Sequence, residues 1–152
     1  MKKRIVRIWV DADACPKVIK EHIFNFVQRL QIPTVLVANS SMHVPLHPMI
    51  KLQIVGKGDD VADKYIVDNL NEDDLVITAD IPLAAQVVEK GALALNPRGE
   101  VYDEDNIGEI LSMRNFMKEL RDSGSITGGP ATFNAKDAQQ FTNSLNKILS
   151  KR

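Results

Sequence analysis

Short β-branched apolar runs alternate along this chain with stretches of helical period, and that alternation restricts the fold to a parallel sheet covered by helices. Arg4 to Val10 reads as the first strand. Between about Pro16 and Leu30, the residues Val18, Ile19, His22, Ile23, Phe26, Val27 and Leu30 recur at helical spacing, so a helix carries the chain back. Thr34–Ala38 is a second strand, and Pro45 and Pro48 make the stretch after it a loop. Leu52–Val55 is a third strand, followed by a helix opening at Asp59 or Asp60 whose face carries Ala62, Ile66, Val67 and Leu70. Asp74–Thr78 is a fourth strand, Ile81-Pro82 opens a helix to about Glu89, and Ala92–Leu95 is a fifth strand after Gly91.

The remainder differs in kind. A loop at Asn96–Gly99 leads to a helix from about Asp105 to Arg121, on which Met113, Phe116, Met117 and Leu120 are expected to face the core. The glycine-rich stretch SGSITGGP, Ser123 to Pro130, is expected to fold back over the body before a last helix from about Ala135 to Leu149. The expectation is a single α/β domain over residues 1–152 with three layers, α/β/α, and a mostly parallel five-stranded sheet. Residues 1–95 would form the α/β core and 96–152 a helical extension packed on it.

At 152 residues, with 44% apolar and 26% charged residues, the chain can bury a core without disulfides or a structural metal. A formal net charge of -1 gives no global field to attract nucleic acid or an anionic membrane, so any polyanion must be held locally or through a metal. One cysteine excludes an internal disulfide. The opening MKKRIVRIWVDAD carries Arg7 and Asp11 where a signal peptide would need an apolar run, and no run approaches the roughly 20 residues of a membrane helix. A cytoplasmic protein without a membrane partner is expected.

In an open parallel sheet, functional groups gather where strands end at their C-terminal edge. Here Asp11 and Asp13 follow the first strand, Asn39 and Ser40 the second, Asp59, Asp60 and Asp63 the third, and Thr78 and Asp80 the fourth. Four strands thus deliver polar or acidic residues to one rim. Asp60 and Asp63, three apart on a helix, share a face where like charges repel, and a cation relieves such repulsion. Clustered carboxylates without cysteine or histidine partners suit Mg²⁺ or Mn²⁺ and fit zinc poorly. Each aspartate also has an ordinary structural use: Asp13 and Asp80 as helix caps, Asp59 as a first-turn anion, Asp63 as a solvated charge. Asp11 is hardest to explain that way, because it extends an apolar strand at the sheet centre.

Cys15, near a helix start, lacks the following arginine that a cysteine phosphatase would need and reads as a small buried hydrophobe. His22 lies on the apolar stripe and reads as a packed histidine; His43 and His47 read as solvent-facing loop residues.

The motifs VDADACP, VAN, Asp60-Val-Ala-Asp63, VITADIPLA, EKGA, NPRGE, MRNFMKELR and SGSITGGPATF resemble those of the bacterial YaiI/YqxD family over nearly the whole length. The resemblance implies kinship with PIN-domain nucleases, compact α/β folds that gather acidic residues around divalent ions. It places an aspartate after the first strand, an acidic residue on a middle helix and an aspartate after the fourth strand, which Asp11, Asp60 or Asp63, and Asp80 match in order. Asp13 adds a carboxylate beyond that pattern, and NPRGE and GGPATF have no counterpart in a generic PIN domain.

The expected activity is divalent-metal-dependent hydrolysis of phosphodiesters in nucleic acid, RNA before DNA. Asp11, Asp13, Asp60, Asp63 and Asp80 would hold Mg²⁺ or Mn²⁺, with Asp11 and Asp80 as the catalytic pair. Asn39, Ser40 and Thr78 would supply hydrogen bonds, and Lys17 and Arg98 would clamp phosphate. A homo-oligomer is left open. Two rivals stand beside this reading. One is a module that binds metal and RNA without cutting. The other is a phosphatase of the haloacid-dehalogenase type, which also opens on D-x-D, but here Gly58-Asp59-Asp60 precedes Val76-Ile77-Thr78, the reverse of the order it needs.

Overall fold

A computed structural model describes residues 4–58, 60–129 and 131–150. Its centre is a six-stranded sheet in the order β3-β2-β1-β4-β5-β6. Strands β1 (Arg7–Asp11), β2 (Thr34–Ala38), β3 (Ile50–Ile54), β4 (Asp74–Ile77) and β5 (Leu93–Leu95) are parallel to their neighbours. The sixth, β6 (Val101–Tyr102), runs antiparallel to β5. The sequence pattern leads to five strands because β6 is only two residues long. It is set by the Asn96–Gly99 turn, whose Asn96 N–H donates to the Glu100 carbonyl, and not by any apolar run.

Alternate residues of the central strands point to opposite faces, and each face has its own helices. Ile8, Val10, Leu36, Leu75 and Ile77 pack with Ile19, Ile23 and Val27 of α1 (Lys17–Leu30) and with Phe141, Leu145 and Leu149 of α5 (Ala135–Leu149). Trp9, Val37, Val76 and Ala94 pack on the other side with Ile66 of α2 (Val61–Asn69) and with Leu83, Ala84 and Val87 of α3 (Ile81–Glu89). These are the three layers expected from the alternation. Every fully buried leucine or isoleucine in them contributes about 1.5–3 kcal/mol.

One helix departs from expectation. Along α4 (Ile107–Asp122) no residue is buried, and Met113, Phe116 and Met117 are 56%, 54% and 36% exposed, with Leu120 half-buried. The expected core-facing set therefore faces outward. The physical reason is position: α4 lies over α3 as an outer layer, touching the apolar core through Ile107 and Ile110, after α2 and α3 have already covered that face.

The chain beyond β5 is locked to α5. Gly99 adopts φ +95°, and a Cβ there would stand 2.6 Å from the Gln140 backbone carbonyl, so only glycine permits this approach. The Ser144 hydroxyl donates to the Gly99 carbonyl at 2.6 Å. Arg98 donates to Asp137 at 2.9 Å and to the Ala131 carbonyl, and its guanidinium lies 5.7 Å over the Phe133 ring. Asp137 in turn completes a capping box with Asn134 at the start of α5. NPRGE and GGPATF are thus two halves of one interlock that fastens α5.

Candidate active site

The sheet order reverses direction between β1 and β4: the chain moves outward through β2 and β3 on one side, then through β5 and β6 on the other. The crevice beyond the C-terminal ends of β1 and β4 is therefore the switch point at which open α/β sheets place ligands. Asp11 is the last residue of β1 and Asp80 the N-cap of α3, just after β4. Asp63 comes to the same place from the first turn of α2.

Asp11 is only 8% exposed, and one carboxylate oxygen accepts the Thr78 hydroxyl at 2.9 Å. Burial raises its pKa above the ordinary value; the Thr78 hydrogen bond opposes that rise, and the charges of Asp80 and Asp13 add to it. Thr78 is itself buried, and its oxygen accepts the Asp80 backbone N–H at 3.0 Å. It stands behind the two aspartates and fixes one against the other. Asp80 accepts the Leu83 N–H at 3.0 Å, so its capping use is real.

Asp63 feels the crowding most. Its carboxyl is pushed up to about 7, first by burial, then by the charges of Asp80 and Asp11, by a hydrogen bond with the Asp80 carboxyl, and by Asp60. The rise occurs at a helix N-terminus, where the dipole favours an anion. Desolvation and like charge outweigh that help. Among the described residues, no three carboxylate, histidine or cysteine groups are drawn together tightly enough to form a ready-made metal shell. Asp11 gives one oxygen to Thr78, and Asp80 gives one to the Leu83 N–H and shares a hydrogen bond with the Asp63 carboxyl.

The remaining expected residues spread around this centre. Asp13 sits in the 3-10 turn Ala12–Ala14, exposed, and accepts the Asn39 backbone N–H at 2.7 Å. It ties the end of β1 to the end of β2 and does not cap α1, whose N-cap is Pro16. The Asn39 side chain donates to the Gly56 carbonyl at 2.9 Å, joining the ends of β2 and β3. Asp60 is the exposed N-cap residue of α2, Ser40 is exposed beside Asn39, and Lys17 is exposed at the start of α1. Asp59 lies outside the described residues. Arg98 follows β5 but is committed to Asp137, Ala131 and Phe133. Cys15 is buried and its thiol is pushed up to about 12, chiefly by that burial, which fits the packing use and not a nucleophile.

Sequence reasoning passed over one buried carboxylate. Asp74, at the opposite end of the sheet, accepts the Trp9 indole N–H at 2.9 Å and the Asn71 backbone N–H at 3.0 Å. Nothing in the local sequence announces the partner 65 residues away.

The family described as "Uncharacterized BCR, YaiI/YqxD family" matches residues 9–151. The chain belongs to the YaiI/YqxD family. Among similar proteins, a UPF0178 protein of Maridesulfovibrio salexigens is 58% identical over 96% of this chain and 97% of its own. One from Shewanella sp. (strain MR-7) is 60% identical over 94% of each chain. One from Geobacter metallireducens is 51% identical over 96% of this chain and 94% of its own. No solved structure matches the chain. No helix among the described residues is long and apolar enough to cross a membrane.

Proposed function

We propose that this YaiI/YqxD protein is a divalent-metal-dependent hydrolase of phosphodiesters in nucleic acid, RNA before DNA, related to PIN-domain nucleases and working in the cytoplasm. The observation that carries the reading is the meeting of Asp11, Asp63 and Asp80, from three separate elements, at the switch point of the sheet, where burial and neighbouring carboxylates raise the proton affinity of Asp11 and Asp63. A fold that holds three carboxylates in mutual repulsion benefits from a cation. The donor set, oxygen only, fits Mg²⁺ or Mn²⁺.

In this reading Asp11, Asp63 and Asp80 hold the ion, with Asp13 and Asp60 at its outer edge. The ion, when bound, lowers the pKa of a water and neutralises charge on the leaving oxygen. The protein's own part is positional. Thr78 orients Asp11 and keeps it in register with Asp80. Asp63, with a carboxyl pushed up to about 7, is partly protonated at neutral pH, and a cation competes with that proton. Lys17, Asn39 and Ser40 stand at the strand ends for a phosphate, and Lys17 takes the part expected of Arg98, which is occupied elsewhere. The single cysteine, free and buried, suits a reducing compartment.

The oxygens already spent on Thr78 and on the Leu83 N–H favour, as the second reading, a module that holds metal and RNA without cutting. Incubating the protein with single-stranded RNA in Mg²⁺ and in Mn²⁺ separates the two. Cleavage that disappears in Asp11→Asn with the fold retained supports the hydrolase; cleavage unchanged in that variant overturns it, and tight binding of intact RNA marks the module.

A further inference from the structure

Between the rim ends of α1 and α5 lies a groove of about 510 Å³. Val18 and His22, one turn apart on α1, line one side; Ala138 and Gln139 of α5 line the other; Phe133 and Asn134 close the end. Its place is set by the fold. Helix α1 leaves directly from the Asp11–Asp13 turn, and the start of α5 is fastened through Asp137 to Arg98, which follows β5 at the same edge of the sheet. The groove therefore opens toward the C-terminal edge of the sheet on its α1/α5 face, while Asp63 and Asp80 reach that edge from the α2/α3 face.

We infer that this groove receives a nucleobase of a single strand whose phosphodiester lies at the Asp11–Asp63–Asp80 rim, an inference that rests on the function proposed above. The volume lies in the range that encloses small organic ligands and admits a base with its sugar. The Phe133 ring is half-buried and held by the Arg98 guanidinium, so it is a fixed aromatic surface on which a base can stack. The two amides are also fixed. Gln139 Nε2 donates to Asn143 at 3.0 Å, leaving its Oε1 as an acceptor, and Asn134 Oδ1 accepts the Asp137 N–H at 3.0 Å, leaving its Nδ2 as a donor. With the half-buried His22 imidazole they form a mixed donor and acceptor set of the kind that reads the edge of an unpaired base.

Charge points the same way. Among the described residues no carboxylate lines the groove; exposed Lys17 and Lys136 stand next in sequence to the lining residues Val18 and Ala135, while exposed Glu21 and the Arg98-paired Asp137 stand next to His22 and Ala138. Those two lysines occupy the first turns of α1 and α5, whose dipoles have their positive ends there. In a chain of net charge -1, the two lysines at these helix starts are the cations that a phosphate backbone would meet at the groove.

Two titrations of the ¹⁵N-labelled full chain, followed by NMR, test this. A six-nucleotide single-stranded RNA, without divalent ions, is expected to shift the amides of Val18, His22 and Phe133 to Gln139. Mn²⁺ alone is expected to broaden Asp11, Asp63 and Asp80. Ala135→Trp, which fills the groove from an exposed position, is expected to raise the RNA Kd at least tenfold. Broadening at the rim with a silent groove overturns the base site and leaves the metal reading intact. Groove shifts without broadening uphold the base site and overturn the metal reading. A mononucleotide that binds as tightly as the six-mer, or an Ala135→Trp variant that binds the six-mer as well as the parent, overturns the strand-bound base.

Discussion

Two buried aspartates sit at opposite ends of the same pair of strands, and their surroundings differ in kind. Asp74, 2% exposed at the N-terminal end of β4, is met by two N–H donors, from Trp9 and Asn71. Asp11, 8% exposed at the C-terminal end of β1, is met by one hydroxyl and by the charges of Asp80 and Asp13. Burial is nearly equal. What separates them is whether the protein supplies donors to the carboxylate or more negative charge. The first arrangement is complete and holds the sheet together; the second is the one the proposed function completes with a cation.

The largest break in that comparison comes from Asp11→Asn. In Mn²⁺, RNA cleavage measured by gel assay should fall by about two to three orders of magnitude, the scale on which loss of one electrostatic catalytic group is felt. Without metal, the same variant should melt no lower than the parent, because it removes a desolvated charge. Asp74→Ala should do the reverse. It leaves the buried Trp9 indole N–H unpaired and should cost about 3 kcal/mol in urea unfolding, while the folded variant at low temperature should match the parent in the same RNA assay.

The interlock between the turn after β5 and α5 gives a smaller effect. Gly99→Ala forces a Cβ against the Gln140 backbone at a positive φ, and should cost about 2 kcal/mol by the same unfolding measurement. Sharpest for the rim is the pH dependence of Asp63. Its folded pKa of about 7 lies above the ordinary 3.8, so the native state binds the proton more tightly than the unfolded chain. That contribution to stability is fully present below about pH 4 and is lost as pH rises through 7. Metal-free Tm should therefore decline over this window, the decline should flatten in Asp63→Asn, and Mg²⁺ should raise Tm more at pH 8 than at pH 6. A slope unchanged in Asp63→Asn would show that Asp63 is not crowded by its neighbours.

Much of this was legible in the residues because it depends on local pattern. Apolar alternation gave the parallel strands and most helices, and strand ends gave the rim on which Asp11, Asp63 and Asp80 meet. The rest depends on partners that a local pattern does not carry. Helix α4 has an apolar stripe, but a stripe specifies a face and not a neighbour, and α3 already occupies the core beneath it. Asp13 reads as either a metal ligand or a cap for the following helix; it does not cap that helix, and it bonds the Asn39 N–H across 26 residues. Arg98 looked free to meet phosphate, and is held by Asp137 across 39. Thr78 was placed at the rim by sequence, but its use as a brace between Asp11 and Asp80 needed coordinates.

The central claim is that the Asp11 end of the sheet is incomplete without a cation. Anomalous diffraction from crystals soaked in Mn²⁺ tests it most directly. The account predicts a manganese peak ligated by Asp11, Asp63 and Asp80, with Asp74 unchanged on Trp9 and Asn71. No peak at that rim at millimolar Mn²⁺, with Asp11 still bonded to Thr78 and Asp80 still bonded to the Leu83 N–H and to Asp63, would contradict it.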